Sequence, residues 1–264
     1  VPGCPPSVDS RGDSRWLSKV DVRQCLNPLE RIRLEKAAAD CGFERTAILN
    51  QDGVLELRSA QFPEIVCLSA EGAVGYRVVA SVPALLDNPG GGSVLVSGVE
   101  QLYAVLQHAS AVARNLPNRI ADHFRAKTKG LPTSTEAERL VLQRVGQDLF
   151  RIALLDFWRG RCCVTGLAVP SLLRASHIKP WAKCESDNER LDVFNGLLLA
   201  PHIDALFDGG WVSFSDQGGL LVSKELSSAA RQQLGVTSEW SIQELTPSHS
   251  AYLMHHRQHV FRHG

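Results

Sequence analysis

Residues 174–214 hold reactive side chains in a fixed order. His177 closes a short apolar run with Leu172, Leu173 and Ile178, Asn195 opens a second run through Leu197, Leu198 and Leu199, and His202, Asp204 and Asp208 follow Pro201. Imidazole, with an unperturbed pKa of about 6.5, can accept a proton from water near neutral pH. Carboxylate oxygen is a good ligand for magnesium or manganese. Asp208 lies four residues after Asp204 and can share its helix face, whereas His202, two residues before Asp204, falls on a different side.

Short elements must position these groups. Pro180 ends the first strand, and residues 185–189 are too polar for a core, so the chain turns there. Phe194 and the leucines that follow form a second buried strand. Pro201 then suits the first turn of a helix that stops before Gly209 and Gly210. The outline is strand, loop, strand, helix.

That outline, with the phrase Ser176-His177-Ile178-Lys179-Pro180-Trp181, then Asn195-Gly196-Leu197-Leu198-Leu199 and His202-Ile203-Asp204-Ala205-Leu206-Phe207-Asp208, resembles the HNH family of nucleases, in a branch related to restriction enzymes. Taken singly, a histidine after a strand or an Asn-Gly pair is an ordinary structural feature; the ordered set is what makes the resemblance specific. It implies a ββα-metal fold with one divalent ion, Mg²⁺ or Mn²⁺. His177 matches the general base, and Asn195 the residue whose amide ties the hairpin loop down. Asp204 matches the helix position of a metal ligand, with His202 and Asp208 ranked below it. Many relatives carry an aspartate before the base as a second ligand. Here that position is Ser176, a weaker donor, so phosphate, His202 or water would have to complete the shell.

At 264 residues the chain can form one large or two small domains. The reading is α+β: residues 1–15 disordered, 16–130 an α+β recognition or regulatory domain, and 131–264 the nuclease domain. Composition is ordinary for a globular protein, with 44% hydrophobic and 21% charged residues and no apolar run long enough to span a membrane. Seven cysteines without any Cys-x-x-Cys argue against a disulfide framework and against a structural zinc site, and fit a reducing cytoplasm. Formal net charge is zero, yet residues 110–180 carry twelve Lys and Arg against five Asp and Glu. A local excess suits phosphate tracking. Within it Arg144, Gln147 and Arg151 follow helical spacing and Arg174 and Lys179 flank the base, so all five are candidate nucleic-acid contacts.

Along the chain, residues 28–42 read as a helix with Leu29, Ile32, Leu34 and the alanines 37–39 on its apolar side. Strand-like runs at 46–49, 54–58, 65–68 and 75–80, separated by turn signals, suggest an antiparallel sheet. Residues 87–92 read as a loop without phosphate-binding context, 99–115 as a helix, and 118–132 as a basic linker. Thr135 with Glu138 forms a capping box for a helix striped by Leu140, Val145, Leu149, Ile152 and Leu155. Residues 211–214 and 220–222 read as a closing hairpin with Trp211 in the core. His255 and His259 in the tail are spaced to chelate, although the tail resembles a segment that docks on the core.

The function expected is a metal-dependent endonuclease acting on DNA, with double-stranded DNA favoured, in restriction or defence; the N-terminal half would select target or ligand. A DNA-binding or sensor protein with an impaired site, a toxin-type nuclease, and a nicking enzyme remain alternatives. A homodimer would serve to cut both strands at once.

Overall fold

The computed structural model describes residues 26–72, 75–88, 91–131, 135–242 and 244–263. The expectations for residues 1–15, for Cys4 and Cys25 and for Gly264 lie outside them.

Helix α1 (Pro28–Asp40) begins at a capping box in which the Asn27 side chain accepts from the Glu30 N–H and Glu30 reaches back to the Asn27 N–H. It buries Leu34, Ala37 and Ala38, whereas Leu29 and Ile32, expected on the apolar side, are exposed. Five strands follow as an antiparallel meander: β1 (Ile48–Leu49), β2 (Leu55–Leu57), β3 (Val66–Glu71), β4 (Gly75–Ala80) and β5 (Ser93–Ser97). The register Leu55↔Leu68↔Val78 sends alternate apolar side chains to one face. Helix α2 (Gly98–Arg114) covers β4 and β5 with Leu102, Leu106, Ala109 and Val112.

The stretch read as a linker is instead helix α3 (Pro117–Thr128), seated by Ile120, Ala121 and Phe124 against α4 (Glu136–Phe157). The capping box of α4 is present, with Thr135 and Glu138 exchanging hydrogen bonds. Its buried stripe, however, is Gly146, Leu149, Phe150, Ala153, Leu154 and Phe157; Leu140 and Ile152 face outward. Spacing of three and four from Phe150 to Phe157 defines that face.

The remaining elements are β6 (Arg174–His177), the one-turn helix α5 (Asp187–Arg190), β7 (Gly196–Leu199), α6 (Pro201–Asp208), β8 (Val212–Phe214), β9 (Leu220–Val222), α7 (Ser228–Gln233) and α8 (Ser250–His259). The fold is therefore mixed α+β. β6 and β7 form an antiparallel pair from Arg174↔Leu199 to His177↔Gly196, and β8 and β9 form the expected closing hairpin. Trp211 is half-buried, covered by the Arg262 guanidinium 3.9 Å from its ring. Helix α4 lies across β6 and β7, and α6 packs on β6 from another side. One continuous apolar core joins the sheet, the helices and the hairpin. At that junction Arg114 grips Asp156 through two N–H···O contacts of 2.9 and 3.1 Å, and Ser248 donates to Asp87.

Candidate active site

Strand alternation sets the geometry. Ser176 and His177 are neighbours on β6, so their side chains leave opposite faces: Ser176 is buried toward α6, and the His177 ring lies on α4. The imidazole stacks on Phe150, ring centroids 3.8 Å apart and planes 16° apart, with Trp181 edge-on at 5.5 Å. Two glycines admit this packing. A Cβ on Gly196 would strike Phe150 and Leu154, and one on Gly146 would strike the Trp181 indole.

His177 Nε2 lies 2.8 Å from the backbone carbonyl of Arg190. A carbonyl only accepts, so Nε2 carries the proton and Nδ1 keeps its lone pair. No described residue bonds Nδ1. Burial pushes the imidazole pKa below its ordinary value, although the Arg190 carbonyl works the other way. The ring is therefore neutral near pH 7. His256 gives a contrast within the same chain: it stacks on Phe207 at 3.8 Å and bonds the Phe207 carbonyl through Nε2, but its Nδ1 is occupied by the Ser213 hydroxyl at 3.0 Å. Of these two stacked imidazoles, His177 keeps a nitrogen available.

Asn195 is fully buried and anchors the loop between β6 and β7. Its Oδ1 accepts the Lys179 N–H at 2.7 Å, and Nδ2 donates to the carbonyls of Lys179 and Glu189, both at 3.2 Å, and toward Cys184 Sγ at 3.4 Å. All these partners lie within the loop itself, so the amide shapes it.

Across β6, the Ser176 hydroxyl donates to Asp208 Oδ1 at 3.1 Å. Burial raises the pKa of Asp204, against lowering by Ser176 and the nearby positive charge of Arg174. Asp208 is raised first by desolvation and then by repulsion from Asp204. Two crowded carboxylates with a hydroxyl beside them fit a hard cation by donor chemistry. Among the described residues, no group of three or more His, Cys, Asp or Glu side chains is placed to hold a metal ion. His202 stands apart from the carboxylates, exposed and packed edge-on against Trp240. On α8, His255 and His259 are adjacent, their rings 4.5 Å apart, without a third such ligand among the described residues.

The basic candidates divide by their contacts. Arg144, Gln147 and Arg174 are exposed. Arg151 is committed to structure, donating to the carbonyls of Leu173 and Pro170 at 2.6 and 2.7 Å. Lys179 Nζ is 2.6 Å from Glu189 Oε1. Sequence reasoning missed Phe150, Glu189 and Arg190. The last acts through its carbonyl, which every residue has, so its identity gave no signal. Gly146 and Gly196 were the available traces of close packing.

Residues 162–215, which span β6 to β8, match the family model described as HNH endonuclease. The match supports the HNH family for this segment and suggests nuclease activity; HNH nucleases generally use a divalent metal. No curated protein matches the chain. The described cysteines are buried free thiols, and no helix among the described residues is long and apolar enough to cross a membrane.

Proposed function

We propose that the protein is a metal-dependent endonuclease that hydrolyses phosphodiester bonds in DNA, with His177 as general base. The observation that carries this reading is the His177 hydrogen bond to Arg190, which leaves Nδ1 lone-paired inside the segment that matches the HNH model. Nδ1 takes a proton from water as the water oxygen bonds to phosphorus; the bond to the leaving sugar oxygen breaks, that oxygen takes a proton from solvent water, and the His177 imidazolium returns its proton to solvent. Asn195 keeps the loop in shape, so Arg190 stays opposite Nε2. Asp204 and Asp208 would hold Mg²⁺ or Mn²⁺, with Ser176 orienting Asp208. When bound, the cation supplies charge stabilisation to the phosphate and the leaving oxygen. Arg174, Arg144 and Gln147 are exposed to meet the DNA backbone.

Residues 16–130 would form the recognition or regulatory domain and 131–264 the nuclease domain. Beside the sheet, the segments before β1 and between β2 and β3 line an open cleft of about 510 Å³ with Arg45, Arg58, Gln61 and Pro63 among others, room for a selected group or ligand. A restriction or defence role in the cytoplasm fits a nuclease with an attached selector. The test is incubation with unmodified and cytosine-modified plasmid in Mg²⁺, Mn²⁺ or EDTA, beside His177→Ala. Metal-dependent nicking or linearisation that vanishes in the variant is expected; equal cleavage by the variant would overturn the assignment.

Ser176 at the position of an expected second ligand, with no three-donor group among the described residues, favours one other reading: a DNA-binding or sensor protein with an impaired site. It predicts binding of the same plasmids without cleavage in any metal.

A further inference from the structure

Lys179 does not point outward as a phosphate contact in this structure. Its ammonium sits 2.6 Å from Glu189 Oε1, with the two side chains only 15% and 21% exposed. From this arrangement we infer that the Lys179–Glu189 pair is a strut that positions the general base; this rests on the reading of His177 above.

The argument is one of placement. Lys179 lies two residues beyond His177, where the chain leaves β6, and Glu189 immediately precedes Arg190, whose carbonyl holds His177 Nε2. The ion pair therefore ties together the two chain segments that carry the two ends of that hydrogen bond. Helix α5 is four residues long, too short to hold its own shape. Its shape comes from contacts: the Ser186 hydroxyl caps the Glu189 N–H, and Glu189 Oε2 accepts the Glu185 N–H at 2.6 Å. Glu189 thus fixes the turn with one oxygen and Lys179 with the other. Burial raises the Glu189 pKa, but Lys179 and the Glu185 amide outweigh it and keep the carboxylate charged. Asn195 bonds the backbone of both residues, so side-chain and main-chain ties act on the same gap. A strut and a phosphate contact make opposite demands on Lys179, because an ammonium clamped to a carboxylate has lost most of its attraction for a third charge.

The test uses the full chain with Lys179→Met, Glu189→Gln and the charge exchange Lys179→Glu with Glu189→Lys. Three quantities are read: cleavage kcat, DNA affinity in EDTA with its salt dependence, and the ring nitrogen shifts of His177 by NMR. A displacement near 1 Å can cost about 100-fold in rate, so a fall in kcat of up to that size is expected in each single variant. DNA affinity and salt slope should stay as in the parent. The His177 nitrogens should move from an Nε2–H pattern toward tautomer averaging, and the exchange variant should recover the parent pattern and part of the rate. Weaker DNA binding in Lys179→Met, with a salt slope reduced by about one and unchanged His177 shifts, would make Lys179 a phosphate contact and overturn the strut. Should both single variants unfold, the exchange variant decides: a folded protein with parent shifts supports the strut, and failure to fold overturns it. If the parent protein binds DNA without cutting it, the nuclease reading falls while the nitrogen shifts still judge the strut.

Discussion

The His177 imidazole rests face to face on the Phe150 ring at 3.8 Å, so helix α4 supplies the floor under the candidate base. That floor excludes water from one side of the imidazole and is part of why its pKa lies below the ordinary histidine value. A base acts in its neutral form, so the acid limb of the pH–rate profile should lie below the ordinary histidine value. Phe150→Leu keeps an apolar floor but removes the flat contact. The variant should lose activity at neutral pH, and its acid limb should move toward higher pH as water reaches the ring. Steady-state cleavage from pH 5 to 8 measures both effects; an unmoved limb would show that Phe150 does not set the pKa.

Gly196 provides an independent check on the same packing. A methyl there meets the side-chain ends of both Phe150 and Leu154, so these side chains or α4 itself must give way. Overpacking of this kind typically costs about 1–3 kcal/mol. Gly196→Ala should lower the urea midpoint by a corresponding amount and reduce cleavage further than the stability loss explains, because Gly196 is the register partner of His177. Full activity in a destabilised variant would separate the floor from the chemistry.

The pairing of Asp204 with Asp208 makes a prediction about metal binding that does not need cleavage. Repulsion between the two carboxylates contributes to the raised pKa of Asp208, so replacing one should relieve strain in the metal-free protein. A cation at ten times its Kd stabilises the folded state by about 1.4 kcal/mol through mass action. Thermal melts should rise with Mn²⁺ and Mg²⁺ in the parent and stay flat in Asp204→Asn and Asp208→Asn. Their metal-free melting temperature should be equal to or above that of the parent. A metal-induced rise that survives in both variants would place the ion elsewhere.

Much of this was legible in the order of residue types. His177, Asn195, Pro201 and the Gly209-Gly210 stop mark a hairpin followed by a helix; Pro201 and the two glycines do so by acting locally on backbone shape, His177 and Asn195 by their order in the motif. Helix α3 was hidden because its apolar contacts are few, Ile120, Ala121 and Phe124, among charged residues that mimic a linker. Strand β5 is five residues long, and its outward Leu95 blurs the alternation of Val94 and Val96. In α4, Val145, Leu149 and Leu155 of the expected stripe pack on the core, but apolar Leu140 and Ile152 point outward, so hydrophobicity alone drew the stripe too wide. Side-chain ties such as Lys179 to Glu189 depend on how a loop folds back, which spacing in sequence does not encode.

Buried histidines should govern acid stability. Desolvation lowers the pKa of His249 to about 3 and that of His256 to about 4, and the two residues are 0% and 1% exposed. Unfolded, each titrates near the ordinary value of about 6.5. Between those limits the unfolded chain binds protons that the folded chain refuses, so stability is fully present above about pH 6.5 and declines as the pH falls toward 4. Each such histidine contributes a slope of at most about 1.4 kcal/mol per pH unit. Asp192, whose pKa burial raises, pulls the opposite way, starting from a carboxylate range that lies below most of this window. Urea unfolding at pH 7, 6 and 5 should therefore show a steady loss of stability, and His249→Phe, which keeps an aromatic ring among Phe157, Trp158 and Phe194, should flatten it. A stability that stays constant from pH 7 to pH 5 would mean that these rings take up protons in the folded state.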